Sequence, residues 1–280
     1  MRPYPLPAGV KGKAFIIESR FAPFPDSLRN AQPRVYNGQT YSAAEHYSDS
    51  SVLVFIPDYF DAQKSYRFVC WFHGWNNNID SSLKTFQLLE QFYAARRNAI
   101  FIFPEGPKNA PDSYGGKLES PEGYLKLWSD IVNKLFLMKI VHKNGYHPIN
   151  ASHVFSGHSG AYKMIAKSIE FEPILYQNST VLLFDGLYGE VNTYLQYVEH
   201  YNLYFLHLYT DDGGTKDNSL QFMKTLADKG IRFLHKEEEE VREEDLRNNR
   251  IIFLHSKKGH NEVITHHNNF ERFLRAFEQY

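Results

Sequence analysis

The chain has 280 residues, 42% of them hydrophobic, 16% aromatic and 22% charged, a balance that suits a large globular fold and excludes a fibrous, repeat or disordered protein. Lys and Arg total 31 against 32 Asp and Glu, a formal net charge of -1, so no basic surplus points to a nucleic acid or an anionic bilayer as partner. The single cysteine, Cys70, excludes an intramolecular disulfide and a cysteine-based zinc cluster, and its apolar run predicts a buried, inert thiol.

No stretch approaches the roughly 18–20 apolar residues that a membrane span needs. The opening Met1-Arg2-Pro3-Tyr4-Pro5 lacks the apolar core of a signal peptide, which weighs toward the cytoplasm. A periplasmic or secreted origin stays open, because a removed leader leaves no trace. The first fifty residues, rich in Pro, Tyr and Ser, hold one short strand candidate at Phe15-Ile16-Ile17 and read as an N-terminal extension or antiparallel edge packed on a main domain of residues 51–280.

From Val52 onward, short apolar runs alternate with stretches of helical period, the pattern of an α/β fold with a mostly parallel sheet. Eight runs qualify as strands: 52–56, 68–72, 100–103, 153–156, 181–184, 203–206, 231–234 and 251–254. After a capping cluster Asp80-Ser81-Ser82, the three- and four-residue spacing of Phe86, Leu89, Phe92 and Tyr93 predicts a helix over 83–97. Tyr124, Leu127, Trp128, Ile131, Leu135 and Met138 make one face of a second helix, ending near Asn144-Gly145. Between them, residues 105–122 form a Gly/Pro-rich loop too long for an ordinary connection. The acidic run Glu237–Glu240 with Glu243, Glu244 and Asp245 reads most simply as a solvated turn or helix face.

The sharpest signal is Phe155-Ser156-Gly157-His158-Ser159-Gly160-Ala161-Tyr162, which follows an apolar strand and opens a helix. A serine on a tight strand-to-helix turn projects its hydroxyl, and small residues two before and two after it, Gly157 and Ala161, relieve the crowding. Upstream, the strand ending at Phe72 runs into His73-Gly74-Trp75, where Gly74 lets the backbone bend so that the amides of Trp75 and Gly160 can point at one oxyanion. Downstream, Ser256-Lys257-Lys258-Gly259-His260 comes after the last strand, and His260 is placed to serve as general base.

In these segments the sequence resembles the α/β-hydrolase superfamily, from about Val52 to the end. Gly157-His158-Ser159-Gly160-Ala161 matches the nucleophile elbow, with Ala161 in place of the commoner glycine, and His73-Gly74-Trp75 matches the oxyanion turn. The resemblance implies an eight-stranded, mostly parallel sheet flanked by helices. It also implies a serine nucleophile followed in chain order by an acid and a histidine. Asp212, at the end of Leu206–Asp212, is the first choice for the acid, with Asp185 and Asp211 as alternatives.

The chemistry implied is acyl transfer: a serine hydrolase cleaving a small-molecule carboxylic ester through an acyl-enzyme, with no cofactor and no metal. An amidase, peptidase or thioesterase would use the same triad, and a catalytically silent binding protein would keep the fold without the chemistry. His158, Tyr114 and Lys117 are candidates to line the substrate pocket. His266 and His267, neighbours on an expected C-terminal helix, should point in different directions, and His255 reads as structural. Oligomeric state leaves no signal in the sequence.

Overall fold

The computed structural model describes residues 1–142, 152–171, 179–201 and 203–276. In chain order the strands are β1 (Arg2–Pro3), β2 (Gly12–Glu18), β3 (Arg34–Tyr36), β4 (Gln39–Tyr41), β5 (Ser51–Pro57), β6 (Arg67–Phe72), β7 (Ala99–Pro104), β8 (Ser152–His158), β9 (Thr180–Phe184), β10 (Tyr204–Thr210), β11 (Leu234–Glu237) and β12 (Ile251–Ser256). Ten of them form one sheet in the order β1-β2-β5-β7-β6-β8-β9-β10-β12-β11, and β3 and β4 make a separate hairpin. The pairs from β7 through to β11 are parallel, whereas β5 runs antiparallel to both β2 and β7.

The sheet is therefore mostly parallel, as the alternating pattern predicts, but has ten strands rather than eight. The additional two come from the first eighteen residues: β2 pairs with β5 along its whole length, and β1 pairs with β2. Six of the eight predicted strands lie within observed ones, and a seventh, 203–206, starts one residue before β10. The segment 231–234 does not lie within one, because the strand begins only at Leu234.

Alternation explains the two-sided core. Val52, Val54 and Ile56 of β5 enter one apolar layer, while Leu53 and Phe55 enter the other, so both faces of the strand are covered. The expected helix over 83–97 is two short helices, Ile79–Phe86 and Leu88–Ala94, broken at Gln87 with φ 50°. Its cap is Asn78, whose side chain accepts the Ser81 N–H, rather than the Asp80-Ser81-Ser82 cluster. The next helix spans Gly123–Leu137, and the Asn144-Gly145 stop lies outside the described residues. Cys70 is buried, and burial pushes its thiol up to about 12 despite the neighbouring Tyr124 hydroxyl, which keeps it inert.

Register decides where the chemistry can sit. Phe72 is opposite Gly157, and His158 is opposite Phe184, so β6, β8 and β9 end level with one another. The residues just beyond these ends, His73-Gly74, Ser159 and Asp185, are brought together at the carboxyl edge in the middle of the sheet, where open α/β sheets hold ligands.

Candidate active site

Ser159 stands between β8 and the helix Tyr162–Phe171 with φ 56°, a left-handed conformation that a side chain adopts only when its surroundings enforce it. The enforcement is steric. A Cβ on Gly157 would lie 2.7 Å from the Ala161 Cβ, and one on Gly74 would lie 2.7 Å from the Ser159 Cβ. A Cβ on Gly160 would meet the Trp75 indole at 2.5 Å. The turn thus requires small residues on both sides of the serine, and Ala161 meets that requirement as well as glycine would.

His260 lies on the loop after β12, and its Nδ1 is 2.7 Å from Asp185 Oδ2. The carboxylate is fully buried, while the imidazole is 28% exposed and so open to a substrate. Asp185 also accepts hydrogen bonds from the Thr210 hydroxyl at 2.7 Å, the Thr210 amide at 3.3 Å and the Thr215 hydroxyl. Burial pushes its carboxyl up, but the hydrogen bonds from His260, Thr215 and Thr210 outweigh burial and hold it at about 2.

The first-choice acid, Asp212, is not the carboxylate at His260. The turn after β10 is folded so that Thr210, Gly213 and Thr215 cradle Asp185, with Gly213 so close that a Cβ there would fall 1.7 Å from Asp185 Oδ2. Asp211 and Asp212 are left facing outward and are exposed. Asp211 pairs with Lys216 Nζ at 2.5 Å and with His255 Nε2 at 3.1 Å.

Three expected substrate contacts also find other partners. His158 is buried and its Nε2 lies 2.9 Å from the His260 carbonyl, with the two rings 4.4 Å apart, so it supports the His260 loop from beneath. Burial, reinforced by His260, pulls its imidazole down to about 3, so it is neutral and donates that hydrogen bond. Tyr114 packs on Phe24 and beneath the Arg29 guanidinium, and Lys117 Nζ is given to the Arg20 carbonyl at 2.8 Å.

Two groups that sequence reasoning missed surround the serine. Tyr188 lies beside Ser159 and edge-on to the His260 ring, and its hydroxyl donates to the Gly213 carbonyl. Burial raises its phenol to about 12, so it stays protonated. Below the oxyanion turn, His73 and Glu105 form a sealed pair with Nε2 to Oε1 2.9 Å, the side chains only 1% and 3% exposed. His73 Nδ1 is 2.8 Å from the Gly74 carbonyl; that oxygen only accepts, so Nδ1 carries the proton. The Gly74 carbonyl and the Trp75 N–H belong to one planar peptide and point in opposite directions, so fixing the first aims the second. Among the described residues, no backbone or side-chain acceptor takes the Trp75 amide. Nothing in the sequence around Glu105 signalled its role, which depends on β7 lying next to β6.

Solved structures share this arrangement of strands and helices. A ferulic acid esterase superposes with a TM-score of 0.59 at 11% identity, covering 96% of this chain and 100% of the other. The feruloyl esterase module from Clostridium thermocellum gives 0.54 at 12%, covering 100% and 95%. The fluorophosphonate-binding serine hydrolase F of Staphylococcus aureus gives 0.54 at 9%, covering 96% and 100%. This chain has the α/β-hydrolase fold. No family model and no curated protein matches its sequence. No helix among the described residues is long and apolar enough to cross a membrane.

Proposed function

We propose that the protein is a serine hydrolase that cleaves a carboxylic ester of a small molecule through an acyl-enzyme. The observation that carries this reading is the 2.7 Å contact of His260 Nδ1 with buried Asp185, beside a serine in a left-handed elbow. Asp185 holds the Nδ1–H tautomer, which leaves Nε2 free to take the proton from Ser159 as its oxygen attacks the ester carbonyl. The amides of Trp75 and Gly160 receive the charge that develops on the carbonyl oxygen. The protonated His260 then gives its proton to the departing alcohol, and water, activated by the same imidazole, releases the acid. No hydrogen bond joins Ser159 to His260 among the described residues, and such bonds commonly tighten only when substrate is bound.

Exposed rings surround this position: Trp75, Tyr36 edge-on to it at 5.3 Å, and Tyr188. They supply flat, partly wet apolar surface, which favours an ester carrying an aryl group over a long alkyl chain. The test is hydrolysis of p-nitrophenyl alkanoates and of methyl esters of aromatic acids by wild type and Ser159→Ala. Turnover lost in the variant, with fluorophosphonate labelling of wild type only, supports the assignment. Turnover retained by Ser159→Ala overturns it.

A further inference from the structure

We propose that Glu238, His266 and His267 form a binding site for a divalent transition-metal ion of the zinc type, which fastens the segment carrying His260 whether or not the protein is a hydrolase. His266 and His267 are not on a regular helix, contrary to the expectation from sequence. His267 and Asn268 both have φ 51°, the helix starts only at Asn269, and the two rings lie 3.9 Å apart. Neighbouring histidines therefore share one side of the chain.

They share it with Glu238, which the acidic run predicts to be solvated but which is 1% exposed. Its carboxylate accepts hydrogen bonds from the Ser256 hydroxyl and from Asn269 Nδ2 at 2.5 Å, and its Oε1 lies 4.0 Å from His267 Nδ1. Among the described residues no Lys or Arg makes an ion pair with it. Arg272 is near enough to feel its charge, but that guanidinium is bonded to the Val241 carbonyl. His266 Nε2 is a buried nitrogen without a hydrogen-bond partner.

One ligand atom from each of the three residues lies within 4.8 Å of the others. In a tetrahedral zinc site with bonds of about 2.0–2.1 Å, neighbouring donors are about 3.3 Å apart, so the group has to contract around an ion. His267, half-exposed, can swing to do so, and Ser256 and Asn269 remain as outer partners that orient the carboxylate. Imidazole with carboxylate is the donor set that zinc and its neighbours accept, whereas calcium and magnesium require oxygen throughout.

The position of the site gives its consequence. Ser256 ends β12 and His266 lies ten residues later, so an ion on Glu238 would close the loop that holds His260. The experiment uses the full chain, stripped of metal by chelator and dialysed, with zinc chloride as the probe. Calorimetric titration should show one tight ion per chain, weakened at least about 100-fold in a His266→Ala/His267→Ala variant, since losing even an outer partner costs about 10- to 100-fold. Cobalt added in place of zinc should give the intense visible bands of a four-coordinate site. Amide exchange in residues 257–265 should slow when zinc is bound. A wild type that takes up no stoichiometric ion, a double variant that binds as tightly, or exchange in 257–265 indifferent to zinc would each overturn the proposal in the part tested. Should the double variant fail to fold, His267→Ala alone, at an exposed position, reads the same loss.

Discussion

Two histidine–carboxylate pairs flank Ser159, and they differ in the ring nitrogen that meets the carboxylate and in how they are sealed. His260 on Asp185 and His73 on Glu105 have nitrogen–oxygen distances of 2.7 and 2.9 Å, and both carboxylates are buried. The His260 imidazole is 28% exposed, while that of His73 is 1% exposed. The first ring is reachable from solvent, while the second is closed off from it. In the proposed mechanism the open pair serves proton transfer, while the closed one holds the Gly74–Trp75 peptide through the His73 Nδ1 contact with the Gly74 carbonyl.

The comparison breaks first at the open pair. Ser159→Ala should lower kcat for ester hydrolysis by at least about 10⁴-fold, and Asp185→Asn by about 10⁴-fold, because the amide would favour the wrong imidazole tautomer. Asp212→Asn should leave kcat within about twofold, as an exposed change away from the reacting groups. Equal losses at positions 185 and 212 in steady-state assays would undo the assignment of the acid.

The closed pair should respond more weakly and in a different parameter. His73→Gln should lower kcat by up to about 10²- to 10³-fold, the range for losing one oxyanion donor, with KM little changed. A rise in KM at constant kcat would show that His73 serves substrate binding instead.

Acidity reads the open pair through stability. The Asp185 carboxyl lies at about 2 in the folded chain against 3.8 ordinarily, so its contribution is complete above about pH 4 and is lost as pH falls toward about 2. The amount is about 2 kcal/mol, and urea unfolding of Asp185→Asn should lack that part of the acid slope. Earlier in the same descent, burial holds His153 and His158 near 3 and His207 near 4. Each takes up a proton on unfolding below its ordinary 6.5, so stability should begin to fall from about pH 6.5 downward. Replacing His207, which lies away from Ser159 in the strand interior, by Gln should flatten that slope in thermal melts at pH 7 and pH 5.

Ser159 was legible in the sequence because the elbow is a local steric problem, and Gly157, Gly160 and Ala161 answer it within three residues on either side. The parallel sheet was equally legible, since each central strand is an uninterrupted apolar run. Asp185 competed with Asp212 because both end strands beside glycine. The choice rests on how Thr210–Thr215 folds back over the neighbouring strand, a contact between segments twenty-five or more residues apart. Glu105 and Tyr188 were hidden for the same reason, and the close approach of the His266 and His267 rings for a local one. The first two depend on which strands are neighbours, and the third on two left-handed residues that no glycine announces.

The pairing of β2 with β5 bears on how this protein can be cut. All seven residues of β5, Ser-Val-Leu-Val-Phe-Ile-Pro, are buried, and β2 supplies their outer hydrogen-bond partner. A shortened chain beginning after Glu18 would turn that strand into a bare, flat, apolar border, the kind of surface on which copies of a chain stack onto one another. The first eighteen residues thus cover the border that β5 would otherwise present.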